Sequence, residues 1–127
     1  MRKIVIADDD PISRGLMRDV LEPQSYEIFE ASNGEEALAM IAETRPDLVL
    51  LDIQMPVLDG FEVLRKLRND VRFHDLPVAF VTALAMASDR ERALSIGSNA
   101  YITKPINVSA LRTQVRTLLE AANAPAK

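Results

Sequence analysis

Three consecutive aspartates, Asp8-Asp9-Asp10, follow the apolar run Ile4-Val5-Ile6-Ala7, and another, Asp52, follows Leu48-Val49-Leu50-Leu51. Val78-Ala79-Phe80-Val81 ends in the hydroxyl of Thr82, and Ala100-Tyr101-Ile102-Thr103 ends in the ammonium of Lys104. Carboxylates, a hydroxyl and an ammonium that converge can hold a hard divalent cation and handle a phosphoryl group. The carboxylates repel when crowded: two unit charges about 4 Å apart cost about 4 kcal/mol at an effective dielectric near 20. A bound divalent cation removes that cost. Oxygen donors without His or Cys select Mg²⁺, with Mn²⁺ as a substitute. A cation also neutralises an incoming phosphate, so that a carboxylate can act as the nucleophile toward phosphorus. Each group alone has an ordinary reading: aspartates after a strand cap helices, a lysine sits in solvent, a threonine ends a strand. The repetition of apolar run and terminal polar group is what points to a site.

The elements must bring these groups together. Short apolar runs alternate with amphipathic stretches roughly five times, which argues for a βα repeat and a mainly parallel sheet. Right-handed crossovers put every strand's C-terminus on one edge, where open α/β sheets bind ligands. Asp8, Asp9, Asp52, Thr82 and Lys104 should meet there.

A first strand is predicted over 3–7. Asp10-Pro11 reads as an N-cap and an N1 proline, so Asp10 is assigned to capping. Ile12, Leu16, Val20 and Leu21 are expected to form the apolar face of the first helix, which Pro23 stops. A strand over 26–31 precedes a helix capped by Asn33, three residues before Glu36, that buries Ala37, Leu38 and Ile41. The run over 47–51 is continuous enough to be buried on both faces. Met55-Pro56-Val57-Leu58-Asp59-Gly60 reads as a loop, and Phe61, Leu64 and Leu67 as a helix face. Pro77 opens the fourth strand. Ser88-Asp89-Arg90-Glu91 reads as a capping box for a fourth helix that Gly97 closes. A short strand over 100–103 leads to Asn107 as an N-cap and a last helix built on Leu111, Val115, Leu118 and Leu119.

A chain of 127 residues fits one domain. Fifteen Lys and Arg against 19 Asp and Glu give a net charge of −4, no electrostatic reason to expect direct nucleic-acid binding. Cys is absent, so there is neither a disulfide nor a thiolate metal site, and His74, the one histidine, sits in a polar loop. No apolar stretch approaches the roughly 20 residues that span a bilayer. Met1-Arg2-Lys3-Ile4-Val5 runs into a strand without a signal-peptide hydrophobic region, so a cytoplasmic location is expected.

The motifs in order, namely the acidic cluster after the first strand, Leu50-Leu51-Asp52 with Met55-Pro56-Val57-Leu58-Asp59-Gly60, Val81-Thr82-Ala83 and Lys104-Pro105, closely resemble the receiver domain of two-component response regulators. The resemblance covers nearly the whole chain. It implies a CheY-like, flavodoxin-like (βα)5 fold, a three-layer α/β sandwich with parallel sheet order 2-1-3-4-5. It places a receiver domain over 1–121 and a tail or the start of a linker over 122–127. The chain is then either a single-domain regulator or a receiver from a longer protein.

Carried over residue by residue, the resemblance implies that Asp52 accepts a phosphoryl group from a phosphohistidine on a sensor histidine kinase or histidine phosphotransfer protein. Asp9, Asp52 and the backbone carbonyl of Gln54 would hold Mg²⁺, with Asp8 acting through a water. Lys104 and Thr82 would meet phosphoryl oxygens, Ala83 would keep the site accessible, and the Lys104-Pro105 peptide would be cis. Thr82 and Tyr101 would relay the change to the surface of the fourth helix, fifth strand and fifth helix. A downstream protein or output domain would read that surface, and a phosphorylation-dependent homodimer could form there. Gln54 and Leu84 stand at the positions that tune phosphoryl lifetime, and apolar Leu84 implies slow self-dephosphorylation. Such a chain catalyses only its own phosphoryl transfer and that slow loss, and is no enzyme with turnover on a free substrate. Two other readings remain: a receiver-like interaction module that ignores phosphorylation, and a Mg²⁺-dependent aspartyl-phosphate phosphatase. The complete acid, Thr and Lys set opposes the first. The second commonly needs an acid where Gln54 stands.

Overall fold

The apolar runs pair as one parallel sheet. In the computed structural model, which describes residues 1–122, the strands are β1 (Arg2–Ala7), β2 (Tyr26–Ala31), β3 (Leu48–Leu51), β4 (Val78–Thr82) and β5 (Ala100–Thr103). The helices are α1 (Pro11–Leu21), α2 (Gly34–Thr44), α3 (Gly60–Arg68), α4 (Ala87–Ile96) and α5 (Val108–Ala122). Pro23 lies in a 3-10 turn, Glu22–Gln24, directly after α1. The sheet order is β2-β1-β3-β4-β5, the expected 2-1-3-4-5. Of the tail read over 122–127, Ala122 falls within α5 and the rest lies outside the described residues. Among the described residues, no helix is long and apolar enough to cross a membrane.

Side chains alternate across each strand and so build two cores, the physical content of the three layers. Ile4, Ile6, Leu48, Leu50, Ala79 and Val81 pack with Met17, Val20 and Leu21 of α1 and Leu111, Val115 and Leu119 of α5. Val5, Val49, Leu51, Val78 and Phe80 pack on the other face with Ala37 and Ile41 of α2, Phe61, Leu64 and Leu67 of α3, and Ala93 of α4. Every residue of β3 and β4 is buried, as the uninterrupted apolar run required.

Two local expectations fail. Ile12 is 80% exposed and Leu16 41% exposed, while Met17, Val20 and Leu21 form the buried stripe of α1. At 3.6 residues per turn each step of four rotates by about 40°, so the row through 12 and 16 spirals off the stripe that 17, 20 and 21 define. The capping box at Ser88–Glu91 does not form either. α4 begins at Ala87, with Met86 as an N-cap lacking a side-chain hydrogen bond. A local cap is worth typically about 1 kcal/mol, too little to fix a helix start against tertiary packing. By contrast, Asn33 Oδ1 accepts from Glu36 N at 2.9 Å, and Glu36 Oε1 accepts from Ser32 N at 3.0 Å.

α4 buries only Ala93. Arginines tie it down instead. Arg92 lies 4.1 Å from the centre of the Phe61 ring and Arg90 5.0 Å from that of Tyr101. Arg68 of α3 donates from Nε (3.0 Å) and Nη2 (2.8 Å) to the carbonyl of Gly97, which caps α4 at φ +117°.

Gly60, the first residue of α3, presses on the end of β3. A Cβ there would stand 2.4 Å from the Asp52 carbonyl oxygen and 2.8 Å from Ile53 Cα, and these backbone atoms cannot swing aside. Gly60→Ala is expected to cost about 1–3 kcal/mol in urea denaturation through this overpacking. Ile12→Ser should stay within about 0.5 kcal/mol of the parent, as an exposed position does. Leu21→Ala, in the same helix, should lose about 2–5 kcal/mol. A large loss at Ile12 would return that side chain to the core.

Candidate functional site

The register of the sheet builds the site. β1 and β3 end in step, with Ala7 opposite Leu51, so the next residues, Asp8 and Asp52, emerge side by side. Backbone bonds carry the pairing past the strand ends: Asp52 N donates to Ala7 O at 2.9 Å and Asp8 N to Ala31 O at 3.1 Å. β4 and β5 end with Thr82 opposite Thr103, and Lys104 N donates to Thr82 O at 2.8 Å. The Lys104 side chain then crosses to the acids, its Nζ 2.8 Å from Asp8 Oδ2 and 3.0 Å from Asp52 Oδ2. The Lys104-Pro105 peptide is cis.

Asp8 is fully buried, Asp52 is 6% exposed, and Asp9 is open to solvent. One carboxylate oxygen from each of the three lies within 4.8 Å of the others. The second oxygen of Asp8 accepts from Asp10 N at 2.9 Å, and that of Asp52 from Gln54 N at 3.3 Å. Asp10 turns away, its Oδ1 capping α1 at Ile12 N (3.0 Å). Three hard oxygen donors, two of them at the floor of the site and one facing solvent, fit a cation that keeps part of its water shell, as Mg²⁺ does. Gln54 follows Asp52 closely enough for its backbone to border the cluster, and its side chain is exposed.

Thr82 and Tyr101 sit one step away. Thr82 is buried and its hydroxyl accepts from Leu84 N at 3.3 Å. Tyr101 lies inward, 8% exposed, and donates its hydroxyl to Leu84 O at 2.6 Å. The two peptide groups of Leu84 thus span from the Thr82 hydroxyl to the Tyr101 hydroxyl. The Tyr101 ring meets Phe80 edge to face at 6.2 Å, and Phe80 meets Phe61 at 5.6 Å.

Sequence reasoning passed over Arg14, whose Nη1 donates to the Asp8 carbonyl at 2.7 Å, and Arg90 over Tyr101. Arg14 is half-buried and Arg90 exposed, and no spacing rule marks an arginine that reaches back to a strand end or across to a ring.

Comparison with known proteins adds an independent line. The response regulator receiver domain model matches residues 4–116. The chain is 40% identical over 118 residues to the polar-differentiation response regulator DivK of Brucella anthropi, covering 93% of this chain and 96% of DivK. It is 38% identical over 119 residues to the DNA-binding dual master transcriptional regulator RpaA of Synechocystis sp., covering 94% of this chain and 49% of RpaA. A two-component response regulator from Clostridium difficile has the same fold, with a TM-score of 0.91 at 29% identity over 98% of this chain and 100% of that one.

The charges in the cluster are unequally served. Burial, the largest influence, pushes the Asp8 carboxyl above its usual 3.8; the hydrogen bonds from Lys104 and Asp10 N pull it back, and the charge of Asp52 adds to the rise. Burial also pulls Lys104 down, but its bonds to Asp8 and Asp52 outweigh that and leave it above its usual 10.5. The bridge therefore suffices for the half-open ammonium and falls short for the sealed carboxylate. Asp8 holds its proton more tightly folded than unfolded, so its ionised form lowers stability above the raised value, and that cost lifts as pH falls through it toward 3.8. In EDTA at neutral pH, Asp8→Asn is expected to raise the urea midpoint, with the gain fading as pH falls through the raised value and gone by pH 3.8. A lowered midpoint at neutral pH would show that the Lys104 bridge outweighs burial.

Proposed function

The chain belongs to the response regulator receiver domain family of two-component signalling, and on that premise we propose that it is a phosphorylation-activated switch with Asp52 as the phosphoacceptor. The observation that carries this reading is the convergence of Asp8, Asp9 and Asp52 with Lys104 between two of them. In the reaction, an Asp52 carboxylate oxygen forms a bond to phosphorus as the phosphorus–nitrogen bond of a phosphohistidine breaks, and the imidazole leaves with the electron pair. Asp9, Asp52 and the Gln54 carbonyl would hold Mg²⁺, with Asp8 acting through a water, and the ion would supply positive charge to the phosphoryl oxygens. Lys104 exchanges a carboxylate oxygen for a phosphoryl oxygen without leaving its place. Small Ala83 keeps the approach open.

Phosphorylation adds about 1.5 to 2 negative charges and new acceptor oxygens. Thr82, reaching for one of them, releases Leu84 N, and the bond from Tyr101 to the same residue's carbonyl feels the change. The outcome is a shift between two packings of α4, β5 and α5, favoured by the contacts that the modified state gains. That α4 is tied down by stacked arginines more than by burial supports it as the moving part. In this reading the domain spans 1–121 and works in the cytoplasm. A sensor histidine kinase or phosphotransfer protein charges it, and a downstream protein, an output domain or a second copy reads it. It turns over no free substrate.

Incubation with acetyl phosphate is expected to add one phosphoryl group by mass with Mg²⁺, none with EDTA, and none in Asp52→Asn. No gain in the parent would favour a passive module, and continued multiple-turnover phosphate release a phosphatase. Leu84→Glu is expected to shorten the phosphoryl half-life, because a carboxylate can orient the attacking water and an alkyl chain cannot. An unchanged half-life would count against this role for Leu84.

A further inference from the structure

Asp8 marks the point where the strand ladders run out, and all of its polar groups are nonetheless engaged. Its N–H donates to Ala31 O, one carboxylate oxygen accepts from Asp10 N, and the other accepts from Lys104. Its carbonyl lies beyond the last sheet bond and accepts from Arg14 Nη1 at 2.7 Å. A buried carbonyl left without a donor is costly, so this contact is not incidental. Arg14 is itself fixed from the other side: its Nε lies 3.2 Å from Glu30 Oε1 of β2, and its side chain is only 19% exposed. The second oxygen of Glu30 is taken by Arg18, which also reaches Glu22 at 3.0 Å. The guanidinium is thus a rigid fork between β2 and the end of β1.

The peptide unit is planar, so fixing the Asp8 carbonyl also fixes where Asp9 leaves the strand. Asp9 is the one acid of the cluster open to solvent. We propose that Arg14, braced by Glu30, is a positioning residue for divalent-cation binding: through the Asp8 carbonyl it sets the peptide plane from which Asp9 is presented to Asp8 and Asp52. This rests on the reading of those three acids as a cation site.

Charge and position predict opposite signs. Arg14 is a cation near a proposed cation site, so its removal would tighten binding if charge alone mattered. Positioning predicts the reverse. The test is calorimetric titration of MgCl₂ into the full chain and its variants, with folding checked by circular dichroism. Arg14→Lys keeps the charge and loses the fork, and is expected to weaken Mg²⁺ about 10- to 100-fold, as loss of an outer-shell partner does. Arg14→Gln, which also removes the charge, should weaken it too. Arg18→Gln touches the same Glu30 but not Asp8, and should leave affinity near the parent's. Parental or tighter binding in Arg14→Lys overturns the proposal, and that conservative variant decides if Arg14→Gln does not fold. Equal weakening in Arg18→Gln also overturns it, since α1 packing would then be the cause. If the parent binds no Mg²⁺, the cation-site reading itself fails and the inference goes with it, a result distinct from normal binding in both parent and variants.

Discussion

A single ammonium faces two carboxylates at the edge of the sheet, one of them sealed from water and the other nearly so. Without Lys104, Asp8 and Asp52 would confront each other across a gap too short for like charges in a poorly screened place. Removing the lysine would leave two buried carboxylates uncompensated, which is strongly destabilising. The rest of the molecule can be understood as what brings that ammonium to those acids. The acids come from adjacent central strands, β1 and β3, and the lysine from the far edge strand, β5. Only a sheet in the order seen, with its registers intact, closes the distance.

The balance is incomplete, and that incompleteness has consequences. Lys104 supplies one positive charge to an acidic cluster that also contains Asp9. Burial still holds the Asp8 carboxyl above its ordinary range despite the bridge. A site left short of positive charge attracts more of it, which is why a divalent cation suits this place better than an empty solvated cleft would. The same shortage makes the site a poor stabiliser of the fold, consistent with chemistry being concentrated where local rules are violated.

Rigidity is distributed to match. β3 and β4 are buried along their whole length, and α3 is pressed onto the end of β3 at Gly60 with no room for a methyl group. Asp8 and Asp52 therefore emerge from strand ends that are packed on both faces. α4 contributes a single buried side chain and lies against its neighbours through Arg90, Arg92 and the grip of Arg68 on Gly97. Charged side chains stacked on rings can be rearranged at less cost than a close-packed apolar core. A stiff floor beneath a loosely tied helix is the arrangement that the proposed switching requires.

The sequence by itself determined the alternation of strand and helix, because apolar runs of period two or continuous burial differ in pattern from helical stripes. It also determined which strands end in Asp8, Asp52, Thr82 and Lys104, since strand ends are local. Gly97 as a cap and the Asn33 to Glu36 cap were legible for the same reason. Sheet order and the assignment of roles came from whole motifs in series rather than from spacing. Only the tertiary structure decided that Ile12 and Leu16 face water, because a row of residues four apart drifts around the helix and nothing local says where the core lies. Only it decided that α4 starts before Ser88, that Arg14 reaches the Asp8 carbonyl, and that Leu84 stands between Thr82 and Tyr101. Those contacts join elements distant along the chain, and their energies depend on register and packing, which no single segment contains.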